Sequence, residues 1–250
     1  MLKWEEMPET MQTPEVRYYY DVLSGKKFSL LVKRIFDVFV SAVLLLLLLP
    51  VFLILAIAIK IDSPGPVFYR QERVTAFGKR FKIHKFRTMV SDADKKGSMD
   101  TVNNDSRITR VGKIIRKCRL DEISQLIDVF LGDMTFVGTR PEVVKYVEKY
   151  EPVMLATLLL PAGITSEASI LYKNEDELLD GADDVDAVYV EKVLPGKMYY
   201  NLKSIEKFDF WGDIATMFKT FFAVLGKEYQ ADTAGEEAFA ASLKNEELHV

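Results

Sequence analysis

The chain has 250 residues, of which 49% are hydrophobic and 28% are charged, and its formal net charge is −4. This length suits one catalytic unit with appended segments, and this composition excludes a wholly disordered chain and a polytopic transporter. The lone Cys118 and the two distant histidines, His84 and His249, exclude an intramolecular disulfide framework and a zinc-binding framework.

The charge is distributed unevenly along the chain. Residues 60–120 carry 16 Lys and Arg against 6 Asp and Glu, whereas residues 121–250 carry 11 against 25. The central segment therefore predicts a surface or site that meets anions. Nucleic acid, lipid headgroups and a phosphorylated substrate all fit this charge, and charge alone does not choose among them.

A long apolar segment precedes this basic region. Residues 38–59 include no charged side chain, and as a helix they would extend about 33 Å, near the thickness of a bilayer core. Basic residues lie on both sides, at Lys26, Lys27, Lys33 and Arg34 and at Lys60, Arg70, Arg73, Lys79 and Arg80. Because positive charge marks the cytoplasmic side and Pro50 can bend a helix, we predict a re-entrant hairpin. A straight span and a signal peptide cleaved near Ala56 and Ala58 are the alternatives.

The next segments read as short strands. Ser63-Pro-Gly-Pro66 ends any helix, and residues 67–74 and 81–89 are two extended runs around the turn at residues 76–79. This pattern predicts a small β-hairpin. The polar residues 91–107 that follow predict a loop that orders around a ligand.

Helices are expected to resume near Thr109. Cys118 follows apolar residues at helical spacing and is predicted to be buried. Residues 120–131 have the apolar spacing of one buried helical stripe, and residues 210–225 form an aromatic stripe that suits a core or a membrane interface equally. From Lys227 onward the acidic tail shows no strong pattern, so we expect it to be weakly ordered or to contact a partner.

Two adjacent carboxylates and several arginines are the candidate chemical groups. Asp121 and Glu122 open the predicted helix at residues 120–131, where carboxylates also serve simply to complement the helix dipole. An ionised Asp is a competent nucleophile toward phosphorus, and an adjacent Glu can bind metal or move a proton. Arginines can neutralise the oxygens of a diphosphate, or form ordinary surface ion pairs. The candidates are Arg87, Arg107, Arg110 and Arg140.

Six motifs occur in the order seen in one enzyme family. They are Lys33-Arg-Ile-Phe-Asp37, the apolar segment, Asp62-Ser-Pro-Gly-Pro-Val-Phe68, Phe81-Lys-Ile-His-Lys-Phe-Arg-Thr-Met89, Leu120-Asp-Glu-Ile-Ser-Gln-Leu126 and Gly132-Asp-Met-Thr-Phe-Val-Gly-Thr-Arg-Pro141. As a set they resemble the monotopic phosphoglycosyl transferases, the bacterial sugar transferase family. The resemblance continues more weakly through Ala162-Gly-Ile-Thr165 and the helix at Phe210.

The resemblance implies a mechanism and roles for these residues. Asp121 would carry a covalent phosphosugar, Glu122 would be its partner, and Mg²⁺ would be held by the two carboxylates. Arg87 would match a basic position of one family motif, and Arg140 would match the Arg of another motif that holds substrate phosphate. The chain departs from the family pattern most at Glu167-Ala-Ser169, where many members have Gly-Trp-Ala-Gln, so the donor sugar is left open.

Together these patterns predict a mainly helical α+β protein with a re-entrant membrane helix, amphipathic interfacial helices and a small β-hairpin. We expect an N-terminal extension at residues 1–32, the membrane helix at 33–60, a cytoplasmic catalytic domain at 61–226 and the acidic tail at 227–250. The family's expected location is the cytoplasmic face of the bacterial inner membrane.

The resemblance also sets the expected function. The protein would transfer a sugar 1-phosphate from a UDP-sugar to polyprenyl phosphate, giving polyprenyl diphosphate sugar and UMP. Membrane lipids are expected partners, nucleic acid is not, and a homodimer is one expected assembly. The alternative is a non-catalytic membrane scaffold whose basic segment binds anionic lipid headgroups.

Overall fold

The computed structural model describes residues 1–91, 106–179 and 184–247. The α-helices are α1 (Pro14–Ser24), α2 (Lys27–Asp62), α3 (Arg110–Lys117), α4 (Leu126–Leu131), α5 (Val144–Val147), α6 (Glu167–Leu171), α7 (Glu175–Leu179), α8 (Val185–Val188), α9 (Leu194–Glu206), α10 (Phe210–Val224) and α11 (Thr233–Glu247). Short 3₁₀ helices cover Trp4–Glu6, Glu9–Met11, Ala76–Gly78, Leu120–Gln125 and Pro152–Leu159, and a π-helix covers Tyr189–Val193.

The strands are short and form small sheets. They are β1 (Phe68–Tyr69), β2 (Glu72–Val74), β3 (Arg80–Lys82), β4 (Lys85–Phe86), β5 (Met134–Val137) and β6 (Ala162–Thr165). Strand β1 pairs with β4 in antiparallel fashion, β2 pairs with β3, and β5 pairs with β6 in parallel. The mainly helical α+β class is therefore confirmed, and so is the predicted β-hairpin.

The helix α2 is 36 residues long and continues through Pro50. By length and composition it is the one helix in the described part of the chain that could cross a membrane. Large apolar side chains along it, such as Phe39, Leu46 and Ile57, are more than half exposed. A core helix of a water-soluble protein would bury such side chains, so their exposure fits a lipid environment. The re-entrant path stays a prediction.

The chain forms two compact units. The first comprises residues 1–36 and 73–81 and the chain from Asp133 onward. Its main core includes buried side chains from the N-terminal segment and from α9, among them Met11, Leu23, Leu202 and Ile205. The N-terminal residues therefore pack into this core, and α2 begins at Lys27 directly after them.

Two glycines bring β5 and β6 into close contact in the first unit. The amide of Gly138 donates to the Thr165 carbonyl at 2.9 Å, and the amide of Gly163 donates to the Thr139 carbonyl at 2.8 Å. A Cβ atom on Gly163 would lie 2.2 Å from the backbone of Gly138, so a side chain has no room there. This contact fixes the turn that presents Arg140.

Residues Thr233–Glu247 of the acidic tail form α11, so the expectation of weak order was wrong for this part. Helix α11 packs Phe239 and Leu243 against apolar residues of the first unit. Glu236 accepts hydrogen bonds from Tyr172 at 2.7 Å and from Tyr200 at 2.6 Å. The sequence of α11 has no long apolar stripe, and these polar contacts help to hold the helix in place.

The second unit comprises residues 37–72 and 82–132. Its core joins the C-terminal half of α2 to β4 and α3 through the buried Leu55, Ile59, Phe86 and Ile115. The Val111 amide donates to Asp62 Oδ2 at 2.8 Å, which fixes the start of α3 beside the end of α2.

The predicted start of a helix near Thr109 is confirmed, because the Thr109 hydroxyl caps α3 by accepting from the Gly112 amide at 3.0 Å. The predicted helix at residues 120–131 is instead a 3₁₀ helix followed by α4. Arg119, whose φ of 54° is left-handed, separates α3 from this 3₁₀ helix. Cys118 is exposed where α3 ends, so its predicted burial was wrong.

Candidate active site

Asp121 and Glu122 lie in the first turn of the 3₁₀ helix Leu120–Gln125, in the second unit. Lys85, the first residue of β4, places its Nζ 3.0 Å from Glu122 Oε1. About a fifth of each of these two side chains is exposed, so solvent screens the pair less than a surface ion pair. The sequence prediction missed Lys85, although it lies within the Phe81–Met89 motif.

The pKa of the Asp121 carboxyl is raised above its ordinary value. Burial is the main cause and the neighbouring charge of Glu122 adds to it, whereas Lys85 and Arg116 act in the opposite direction. A partly desolvated carboxylate that nearby cations help to keep ionised is weakly hydrated and therefore nucleophilic. Such a carboxylate can act as a nucleophile toward phosphorus.

Arg87 is buried immediately after β4. Its Nη1 donates to the Pro64 carbonyl at 2.6 Å and to the Ser91 hydroxyl at 2.8 Å, and its Nη2 donates to the Ser63 carbonyl at 2.7 Å. Burial lowers the pKa of this guanidinium. Arg87 thus ties β4 to the turn at the end of α2.

Two buried polar atoms at this turn have no hydrogen-bond partner within the described ranges: Arg87 Nε and Ser63 Oγ. Leaving a buried donor unsatisfied costs about 1–3 kcal/mol, so such atoms call for an explanation. An oxygen of a bound anion would be a suitable acceptor for the Arg87 Nε donor.

Arg107 and Arg110 belong to the same unit as Asp121. Backbone hydrogen bonds join the Val90 amide to the Arg107 carbonyl at 2.9 Å and the Thr109 amide to the Thr88 carbonyl at 3.0 Å. The structure therefore brings the segment that follows Arg87 alongside the segment that contains Arg107 and Arg110.

Arg140 belongs to the first unit. It follows β5 and lines a small pocket with Thr75, Thr139, Glu142 and Tyr150. Its predicted role in holding substrate phosphate stays a prediction.

The two carboxylates suit one mode of magnesium binding. Within residues 1–91, 106–179 and 184–247, no group of three or more His, Cys, Asp and Glu side chains could hold a metal. Mg²⁺ is commonly held by one or two carboxylates, with water and substrate phosphates completing its coordination. Asp121 and Glu122 fit this mode, because they are two adjacent carboxylates in the first turn of one 3₁₀ helix.

A family model described as bacterial sugar transferase matches residues 28–227. The chain is 34% identical over 220 residues to the UDP-glucose:undecaprenyl-phosphate glucose-1-phosphate transferase of Escherichia coli (strain K12), covering 86% of this chain and 44% of that protein. It is 32% identical over 197 residues to the UDP-N-acetylgalactosamine-undecaprenyl-phosphate N-acetylgalactosaminephosphotransferase of Aeromonas hydrophila, covering 78% and 44%. The match to the UDP-glucose:undecaprenyl-phosphate glucose-1-phosphate transferase of Caulobacter vibrioides is 32% over 196 residues, covering 77% and 69%. The chain thus spans under half the length of the first two relatives.

Proposed function

The chain belongs to the bacterial sugar transferase family, and from this membership we propose that it transfers a sugar 1-phosphate from a UDP-sugar to a polyprenyl phosphate. The products are a polyprenyl diphosphate sugar and UMP. The observation that carries the proposal is the carboxylate pair Asp121–Glu122 beside Lys85, within the region that the family model matches. The relatives are named for different sugars, glucose and N-acetylgalactosamine, so the proposal leaves the sugar open.

In the first step, a carboxylate oxygen of Asp121 attacks the phosphorus that bears the sugar. The bond from that phosphorus to the oxygen bridging the diphosphate breaks, and UMP leaves with its electron pair. In the second step, an oxygen of the lipid phosphate attacks the same phosphorus and releases the Asp121 carboxylate. Lys85 and Arg116 support this role because their charges favour the ionised form of Asp121.

Bound Mg²⁺ would supply positive charge to the diphosphate oxygens. Asp121 and Glu122 are the residues that would hold it. Arg87 would contribute a further cation, and its unsatisfied Nε together with Ser63 Oγ supports a role in binding a substrate phosphate.

The proposed location is the cytoplasmic face of the bacterial inner membrane. Helix α2 supports it through its exposed apolar surface, and α10 supports it because Trp211, Phe218 and Phe221 are each more than half exposed. An amphipathic helix with such side chains suits the membrane interface.

Two single-cysteine proteins in a Cys118→Ser background test the re-entrant path. Phe28→Cys and Ile61→Cys replace exposed side chains near the two ends of α2. We expect both to be protected from a membrane-impermeant reagent applied to intact cells, and both to react after permeabilisation. Labelling of one end alone would mean a straight span. Pro50→Ala is the matched variant. If Pro50 causes the re-entrant bend, this substitution should convert the re-entrant path into a straight span.

An assay of UMP release tests the reaction. The purified protein is given Mg²⁺, polyprenyl phosphate and a panel of UDP-sugars, and release of UMP is expected for at least one donor. Without lipid acceptor, mass spectrometry should detect a phosphosugar on Asp121. If the protein is instead a non-catalytic scaffold, it should release no UMP from any donor and should still bind anionic lipid.

A further inference from the structure

His84 is held by the carboxylate of Asp128, which is only 1% exposed. The His84 backbone amide donates to Asp128 Oδ2 at 2.9 Å, and His84 Nδ1 lies 2.6 Å from Asp128 Oδ1. Both oxygens of one buried carboxylate thus contact the same residue. Burial is the main influence on Asp128 and raises the pKa of its carboxyl, while the contacts to His84 lower it.

The other ring nitrogen of His84 faces a cation. Arg70 Nη1 lies 2.6 Å from His84 Nε2, and Arg70 also donates to the Lys82 carbonyl from Nε at 3.1 Å and from Nη2 at 2.7 Å. A guanidinium has donors and no acceptor, so Nε2 must accept. Nδ1 must then carry the proton that it donates to Asp128. The contacts therefore select the neutral Nδ1–H tautomer of His84.

His84 is also connected to the turn that contains Asp121 and Glu122. The Ser124 hydroxyl is completely buried and lies 3.0 Å from the His84 carbonyl and 3.2 Å from the Asp121 carbonyl. The residue after His84 is Lys85, which binds Glu122. The backbone of His84 is thus linked to Asp121 through the Ser124 hydroxyl and to Glu122 through the next residue, Lys85.

We propose that His84, held as its Nδ1–H tautomer between Asp128 and Arg70, is a positioning residue for the Asp121–Glu122 turn. The functional part of this inference rests on the proposed transferase activity. Arg70 occupies the free ring nitrogen, so His84 acts through the turn and not as a proton acceptor for substrate. A small displacement of reacting groups can cost on the order of a hundredfold in rate, which is why such positioning matters.

The tautomer is tested without any substrate. The chain has two histidines, so ¹⁵N-histidine labelling gives two imidazole spin systems, and His249→Gln identifies the one from His84. We expect an Nδ1–H tautomer at neutral pH that persists in His249→Gln. An Nε2–H tautomer, or rapid exchange between the two forms, would overturn the proposal.

Paired substitutions test the positioning role. His84→Asn keeps a hydrogen-bond donor near the place of Nδ1. His84→Leu removes that donor and leaves the buried Asp128 carboxylate with one donor fewer. For His84→Leu we expect kcat to fall about ten- to a hundredfold with little change in the donor KM. His84→Asn should recover most of the loss. Equal kcat losses in both variants, or a kcat that follows only the folded fraction, would contradict it.

Hydrogen exchange separates this inference from the activity itself. The amides of residues 120–126 should exchange faster in His84→Leu than in the wild-type protein, and at nearly wild-type rates in His84→Asn. This exchange pattern is expected even if no donor releases UMP. Absence of UMP release would reject the transferase proposal alone. Unchanged exchange in His84→Leu would reject the positioning role alone.

Discussion

Lys33 Nζ lies 2.5 Å from Asp213 Oδ2. The same ammonium donates to the Val137 carbonyl at 2.8 Å, so one buried lysine connects the first turns of α2 with α10 and the end of β5. Only 7% of the Lys33 side chain and 18% of the Asp213 side chain are exposed. This pair is mostly buried within the first unit and is not a surface ion pair.

Lys33→Met should destabilise the protein strongly, because it leaves a mostly buried carboxylate without this cation. Breaking such a pair costs on the order of 3 kcal/mol. The double variant Lys33→Met/Asp213→Leu should recover part of the loss. Denaturant unfolding in detergent measures both variants, and Lys3→Met is a control because the Lys3 side chain is 80% exposed beside Glu6. A loss under about 0.5 kcal/mol in Lys33→Met would contradict the expectation.

Asp121→Asn should abolish turnover and preserve the fold. Removal of a nucleophile typically lowers the turnover rate by about a thousandfold or more.

The Asp121 pKa is raised in the folded state, so the ionised carboxyl destabilises the fold at neutral pH. The Asn protein should therefore be at least as stable at pH 7, and the two melting temperatures should converge as the pH falls through the raised pKa.

Asp21→Asn is the matched control for this prediction. Asp21 is an exposed carboxylate paired with Arg17 at 3.0 Å, and its neutralisation should leave UMP release unchanged. Near-normal turnover in a folded Asp121→Asn protein would reject the proposed mechanism.

Lys85→Met should move the acidic limb of the pH–rate profile. Lys85 lowers the Asp121 pKa, so its removal raises that pKa further and the ionised nucleophile is lost at a higher pH. We expect the acidic limb of kcat/KM to shift upward in pH. Lys79→Met, which removes an exposed pair with Asp133 at 2.7 Å, should not shift it. An unshifted profile in Lys85→Met would mean that the ion pair with Glu122 has a structural role only.

The two tryptophans report membrane contact in opposite ways. Trp211 is 73% exposed on α10, whereas Trp4 is partly buried against Tyr20 in the N-terminal segment. In a Trp4→Phe protein reconstituted with brominated lipid, fluorescence from Trp211 should be strongly quenched. In a Trp211→Phe protein, fluorescence from Trp4 should remain. Equal quenching of both would show that α10 has no special contact with lipid.

The sequence predicted the elements whose signals are local. The turn residues at 63–66 and 76–79 predicted the strands around them, and Thr109 marked the start of α3 as an N-cap. The apolar segment was equally clear, since its composition alone predicts a membrane helix.

Other features depend on contacts between distant residues. The 3₁₀ helix at Leu120 follows the left-handed Arg119 and is held by the hydrogen bond from Ser124 to His84, 40 positions away, which apolar spacing cannot reveal. The site was predicted in part. Asp121 and Glu122 were identified, but Lys85 was missed, because it reaches Glu122 only through the contact of β4 with the 3₁₀ helix Leu120–Gln125.

Helix α11 lies beyond residue 227, where the match to the family model ends. A protein shortened there to isolate the family's shared segment would lose Phe239 and Leu243 from the core, and the hydroxyls of Tyr172 and Tyr200 would lose their acceptor. We expect such a shortened protein to aggregate during expression. Chimeras that exchange donor-binding regions between relatives should therefore take α11 and α9 from the same protein.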